Sequence, residues 1–323
     1  VDFAAGGQEG CRCRCKERPM KALATFIMKG RMQAVMVAAV FTVLALLITP
    51  LGIASSAVIA LVVLRNGVRE GLLIAVLGGV ALSALGLLIF GQPLSLAIAG
   101  LLLWVPMLVL GELLRATRSL RLVLEVAVIL GALLIGMQYL VLDDVPKFWS
   151  GILDEYSAQM MDPNVVSDAD RKLMVTEMAP WMAGGMGAAW FLQLALSLFL
   201  ARSWQASLYN PGGFAKELRE LRLGYWLLIL VPVLLVIGSL SDKPGLASQL
   251  ALVGMAAFFL QGVALVHGLV QEFKANQGWL IGFYILLVIG MPASFTAVSA
   301  AGFADGWLNF RARVRARRPS GGE

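Results

Sequence analysis

The sequence predicts an all-α fold, a polytopic integral membrane helical bundle with about 8–10 transmembrane segments, on three observations. Apolar residues fill 59% of the 323 positions and charged residues only 14%, with a mean hydropathy of +0.82. Ordinary soluble domains are about 25% charged. The apolar residues are gathered into stretches separated by proline, glycine and charge clusters, and the basic residues fall very unevenly among the intervening loops.

Ten apolar stretches are read as candidate spans: 32–48, 51–64, 71–90, 94–110, 122–142, 181–201, 224–240, 246–267, 277–291 and 292–308. Several are shorter than the roughly 20 residues needed to cross hydrocarbon. Tilted, kinked or incomplete crossings are therefore expected. The first two and the last two are each one apolar stretch interrupted by Pro50 or Pro292. Proline removes a backbone donor and disfavours helix in the residue before it, so each pair is either a tight hairpin or a broken helix.

Loop charge sets the expected orientation. Alternate loops carry Lys21, Lys29 and Arg31; Arg65 and Arg69; Arg115, Arg118 and Arg121; Arg202, Lys216, Arg219 and Arg222; Lys274; and Arg311, Arg313, Arg315, Arg317 and Arg318, 18 basic residues on one side. The other loops hold Lys147, Arg171, Lys172 and Lys243. The positive-inside rule then places both termini in the cytoplasm, with an even number of spans. The net charge of +6 is thus a topology signal and not a nucleic-acid footprint. In "ALVVLRNGVREGLL", residues 60–73, Asn66-Gly67 is a natural turn dipeptide and Arg65 and Arg69 flank it as inside charges.

The chain divides into an N-terminal extension (1–19), an N-terminal transmembrane bundle (20–144), an extracytoplasmic amphipathic segment (145–180), a C-terminal transmembrane bundle (181–310) and a basic cytoplasmic tail (311–323). The extension lacks an apolar signal-peptide core and is read as non-native or disordered, with Met20 as the native start. It holds Cys11, Cys13 and Cys15, the only cysteines, in a spacing unlike the paired Cys-x2-Cys of zinc sites; no metal site is expected. The segment 143–180 has eight acidic residues against three basic ones. Pro146 suits a helix start and Ser167 an N-cap, so two short amphipathic helices are expected, one with Phe148, Trp149, Ile152 and Tyr156 on its apolar face, the other with Leu173, Met174 and Met178. The loop 202–223 should break at Asn210-Pro211-Gly212-Gly213 and resume as a charged amphipathic helix, with Trp204, Tyr209 and Phe214 as interface residues.

Enzymatic devices are missing. His267 is the single histidine, which excludes a multi-histidine metal site, and neither a phosphate-binding Gly-x4-Gly-Lys-Ser/Thr loop nor a Gly-x-Ser-x-Gly elbow occurs. No enzyme activity and no cofactor are expected. Polar residues inside spans are the default functional candidates, and these are Glu125, Gln138, Tyr139, Gln193, Gln249, Gln261, His267 and Asp305. Glu125 is read as the local ion-pair partner of Arg121, four residues before it. Gln138, Tyr139, Gln261 and His267 are nominated as residues lining a solute path, and Asp305 is placed with Asn309 on one helical face. Arg311, Arg313 and Arg315, like Arg65 and Arg69, are assigned to topology and lipid headgroups.

The segments "ALVVLRNGVREGL", "FFLQGVALVHGLV" and "GFADGWLNFRAR", in this order among ten apolar stretches, resemble the YybS-like family of bacterial membrane proteins over about residues 24–312. That family is similar to the substrate-binding S-components of energy-coupling-factor vitamin transporters. The resemblance implies an all-helical subunit that holds a vitamin-like solute or metal ion and docks on a membrane coupling subunit with two ATPases. In S-components an alanine-x3-alanine pair on the first span makes that contact, and Ala34 and Ala38 match it. S-components have fewer spans and lack so large an acidic outer segment. The expected function is a substrate-binding or permease subunit working near Pro50 and Pro292; the alternative is a non-transporting membrane scaffold or assembly protein.

Overall fold

The structure is a computed structural model that describes residues 19–162, 165–241, 243–276 and 278–316. The cysteine-bearing extension, Arg317 and Arg318 lie outside the described residues. Every regular element among the described residues is a helix, and the ten predicted spans each correspond to one. They are α2 (Arg31–Ala45), α3 (Leu51–Asn66), α4 (Val68–Phe90), α5 (Pro93–Thr117), α6 (Leu120–Val141), α9 (Met182–Tyr209), α11 (Tyr225–Ser239), α12 (Leu246–Glu272), α13 (Gly278–Ile289) and α14 (Ala293–Leu308). Short helices complete the chain: α1 (Pro19–Ile27), α7 (Val145–Met160), α8 (Asp168–Met178), α10 (Gly213–Arg219) and α15 (Phe310–Ala316).

Among the described residues, α4, α5, α6, α12 and the helical run ending in α9 are long and apolar enough to cross a membrane. Four shorter apolar helices, α2, α3, α11 and α13, accompany them. At 1.5 Å per residue, the 23 residues of α4 cover the roughly 30 Å of hydrocarbon, whereas the 12 residues of α13 do not. The chain is a helical membrane protein.

Two helices organise the bundle. All eight residues from Ala57 to Leu64 of α3 are buried, because α2, α4, α5 and α9 surround it. A helix apolar on every side has to be enclosed in this way or face lipid. The second organiser, α12, packs on α6, α9, α11 and α14. Its approach to α14 is closest at Gly262 and Gly302, where a Cβ would collide with the carbonyl oxygens of Val298 and Phe258. Small residues at such crossings let helix backbones touch. Because α9 packs on both α3 and α12, it joins the two predicted bundles.

Polar contacts fix helix direction. Arg31 at the start of α2 pairs with Glu70 at the start of α4, and Glu112 near the end of α5 accepts from Val68 N at 3.1 Å. Gln205 late in α9 reaches the Leu64 carbonyl at the end of α3. Glu125 early in α6 accepts from Gly224 N just before α11, and Arg315 of α15 pairs with Glu272 at the end of α12. These basic loops therefore gather at one end of the bundle, called the basic end below.

At the opposite end, the predicted outer helices form. Asp144 caps α7 by accepting from Lys147 N at 2.9 Å, and Ser167 caps α8 by accepting from Asp170 N at 3.1 Å. Trp149 is buried with Val145, Ala179 and Ala183, while Phe148, Tyr156, Leu173, Met174 and Met178 stay exposed, so only part of each predicted apolar face packs on the bundle.

Candidate functional site

The densest polar constellation lies at the basic end and holds the 219–224 segment between α10 and α11. Arg311 donates from Nη2 to Asp305 Oδ2 at 2.6 Å and to the Leu221 carbonyl at 2.8 Å, and from Nη1 to the Arg219 carbonyl. The second Asp305 oxygen accepts from Phe310 N at 3.0 Å. The two side chains are 3% and 0% exposed. A buried ion pair is tolerated when extra hydrogen bonds satisfy both partners, as they do here. Asn309 makes the geometry possible: it ends α14 in the left-handed region, φ 48°, and the turned chain brings Arg311 back to Asp305.

Around this pair, Gln261 of α12 accepts from Leu223 N at 2.8 Å and donates to the Gly302 carbonyl at 2.8 Å. Arg222 donates to the Gly306 carbonyl at 2.8 Å. Glu125 accepts from Gly224 N at 2.8 Å, from Trp226 Nε1 at 2.9 Å and from Arg121 at 2.8 Å. The Arg121 contact is the ion pair expected from their spacing, and the other two attach α6 to α11. These groups clamp backbone. Asp305 and Arg311 are shielded from solvent and show no nucleophile or transferable proton facing a cleft.

The nominated lining residues are not brought together. Gln138 lies at the opposite end, where its Oε1 accepts from Trp149 Nε1 at 3.0 Å, and Tyr139 packs beside the Trp149 cluster. Gln261 is fully buried in the clamp. His267 Nε2 lies 2.8 Å from the Tyr284 hydroxyl and ties α12 to α13. None of the four lines the cavities of 220 and 330 Å³ at the basic end. The proline breaks are likewise closed by local bonds: Ile53 N donates to the Pro50 carbonyl, and Ser294 Oγ caps the Leu287 carbonyl at 2.6 Å.

The alanine pair and one tail arginine lie inside the bundle. Ala34 and Ala38 are 1% and 0% exposed. Their small size serves packing inside the chain, where the Ala38 carbonyl accepts from Ser55 Oγ at 2.9 Å. Arg311 is 2% exposed and held by Asp305, so it does not reach headgroups as the tail arginines were expected to. Arg313 is exposed, and Arg315 is exposed while paired with Glu272. Arg65 stacks 4.5 Å over the Tyr209 ring, and Arg69 is exposed beside the α3–α4 turn. That turn is the single residue Gly67, whose φ of 97° a side chain rarely adopts.

Sequence reasoning missed a buried polar cluster within the N-terminal helices. Ser55 Oγ lies 2.7 Å from Thr42 Oγ1 and accepts from Trp104 Nε1 at 2.9 Å, linking α2, α3 and α5. Gln249, by contrast one of the span polar residues singled out from the sequence, is fully buried and joins Gly184 N and the Pro180 carbonyl to α12. No protein-family model, curated protein or solved structure matches the chain.

Proposed function

We propose that the chain is a non-transporting scaffold or assembly protein of the bacterial cytoplasmic membrane, with its basic end in the cytoplasm as the platform for partners. The observation that carries the reading is the use made of the span polar groups other than Gln193, whose Nε2 is buried without a partner among the described residues. Gln138, Gln249 and Gln261 each bind partners inside the chain, and Asp305 with Arg311 fastens the 219–224 segment to α12, α14 and α15. A transport site needs such groups available to a solute and a helix pair free to rearrange. Here the charged surface is carried on a fixed base, with Arg69 and Arg313 exposed on it. The orientation follows the positive-inside rule.

Site-specific photocrosslinking in intact membranes tests this. Probes at Arg69, Lys216 and Arg313 should each give the same discrete protein adduct, and deletion of the gene should leave vitamin and metal-ion uptake unchanged. Purified protein that retains a small solute by native mass spectrometry, together with loss of uptake of that solute on deletion, would establish the solute-binding reading instead.

A further inference from the structure

At the basic end a cavity of about 220 Å³ opens between the ends of α3, α5 and α9 and the short α10, lined by Leu64, Leu114, Arg115, Arg118, Arg202, Gln205 and Glu217. Three guanidinium groups and one carboxylate share this small volume. Drug-sized pockets begin at roughly 300 Å³, so this one is the size of a single polar group.

The charges are not equally committed. Glu217 accepts from Arg202 with both oxygens, at 2.9 Å from Nε to Oε2 and in a second parallel bond from Nη2 to Oε1. The remaining Arg202 nitrogen bonds Gln205, whose amide reaches the Leu64 carbonyl. This forked pair spends the only acid on the wall and makes one side of the cavity rigid. Arg115 is shared with Glu112 at 3.2 Å. Arg118 has no side-chain hydrogen bond or ion pair among the described residues. Its backbone ends α5 in the left-handed region, φ 52° and ψ 22°, as Lys274 and Asn309 do after other helices.

We propose that this cavity is a binding site for a phosphate group, with Arg118 as its principal ligand and Arg115 as the second. Planar guanidinium groups offer paired donors to phosphate oxygens, and the exposed, unpaired Arg118 on the lining of a cavity where spans end supplies the attraction. Basic pockets between transmembrane helices at this level take anionic lipid headgroups, and a free phosphate presents the same chemistry.

The experiment uses the full chain in nanodiscs. In one arm, native mass spectrometry counts phosphatidylglycerol retained from mixed phosphatidylglycerol and phosphatidylcholine discs. In the other, inorganic phosphate is titrated onto protein in pure phosphatidylcholine discs. Binding in either arm, weakened about tenfold by Arg118→Gln and unaffected by Arg313→Gln, is expected, and the arm that responds identifies the source. Arg118→Gly separates binding from folding, because glycine suits the left-handed backbone: it should keep or raise Tm while losing the phosphate group. Binding in neither arm, equal binding by the Arg118→Gly variant, or equal weakening by Arg313→Gln overturns the proposal.

Discussion

The two ends of the bundle hold their polar groups in opposite ways. At the basic end, beside local pairs such as Arg121 with Glu125 and Arg311 with Asp305, many partners are far apart in sequence: Arg31 with Glu70, Glu125 with Gly224, Gln261 with Leu223, Arg222 with Gly306, and Arg315 with Glu272. At the acidic end Gln249 of α12 makes the one comparable long-range clamp among the described residues, to Gly184 and Pro180, and the rest are neighbours: Asp144 caps its own helix, Ser167 caps the next, and Arg171 of α8 pairs with Asp168 on its own helix and Asp154 on the one before. Long-range polar bonds fasten separate spans together, whereas local ones define individual helices. The basic end is therefore part of the bundle's framework, and α7 and α8 are a cap on it.

Removing a framework charge should have the largest effect. Arg311→Met leaves Asp305 buried without its cation and should lower unfolding stability by about 3–5 kcal/mol, measured by denaturation in detergent. Adding Asp305→Leu should recover part of that loss, since the cost lies mainly in the unpaired charge. Gln261→Leu strands Leu223 N–H and the Gly302 carbonyl and should cost about 2 kcal/mol in the same assay. Ser167→Ala removes only an N-cap, worth about 1 kcal/mol, and its effect should stay within α8 as read by hydrogen exchange. Arg31→Gln breaks an ion pair whose arginine is 58% exposed, and no resolvable change in Tm is expected.

The helices were largely legible in the sequence because hydropathy and proline or glycine breaks act locally. Pro93 opens α5, Gly67 separates α3 from α4, and Ser167 caps α8 as the capping pattern predicts. Several span ends were misplaced: the stretches predicted to stop at residues 110 and 267 run to Thr117 and Glu272. The span predicted to stop at residue 201 runs to Tyr209, because Arg202 finds Glu217 and Trp204 is 2% exposed; the arginine resembled a loop start only while its partner was unseen. The sites were much less legible. Asp305 and Arg311 lie six residues apart, outside the three- and four-residue spacings at which helical side chains meet, and their pairing depends on the left-handed turn at Asn309. The Thr42, Ser55 and Trp104 cluster joins three helices, so no short window contains it. Gln138, Gln261 and His267 were nominated for a solute path on their place within apolar spans, and which atoms they bind is decided by tertiary packing.

Hydrogen exchange across the 219–224 segment, followed by mass spectrometry in nanodiscs, tests the framework claim most directly. Leu223 and Gly224 precede α11, yet their amides donate to Gln261 and Glu125. They should exchange as slowly as those of α12, and Arg311→Met should accelerate them while leaving α7 and α8 unchanged. Wild-type exchange at Leu223 and Gly224 as fast as in the loop following α12 would contradict the account.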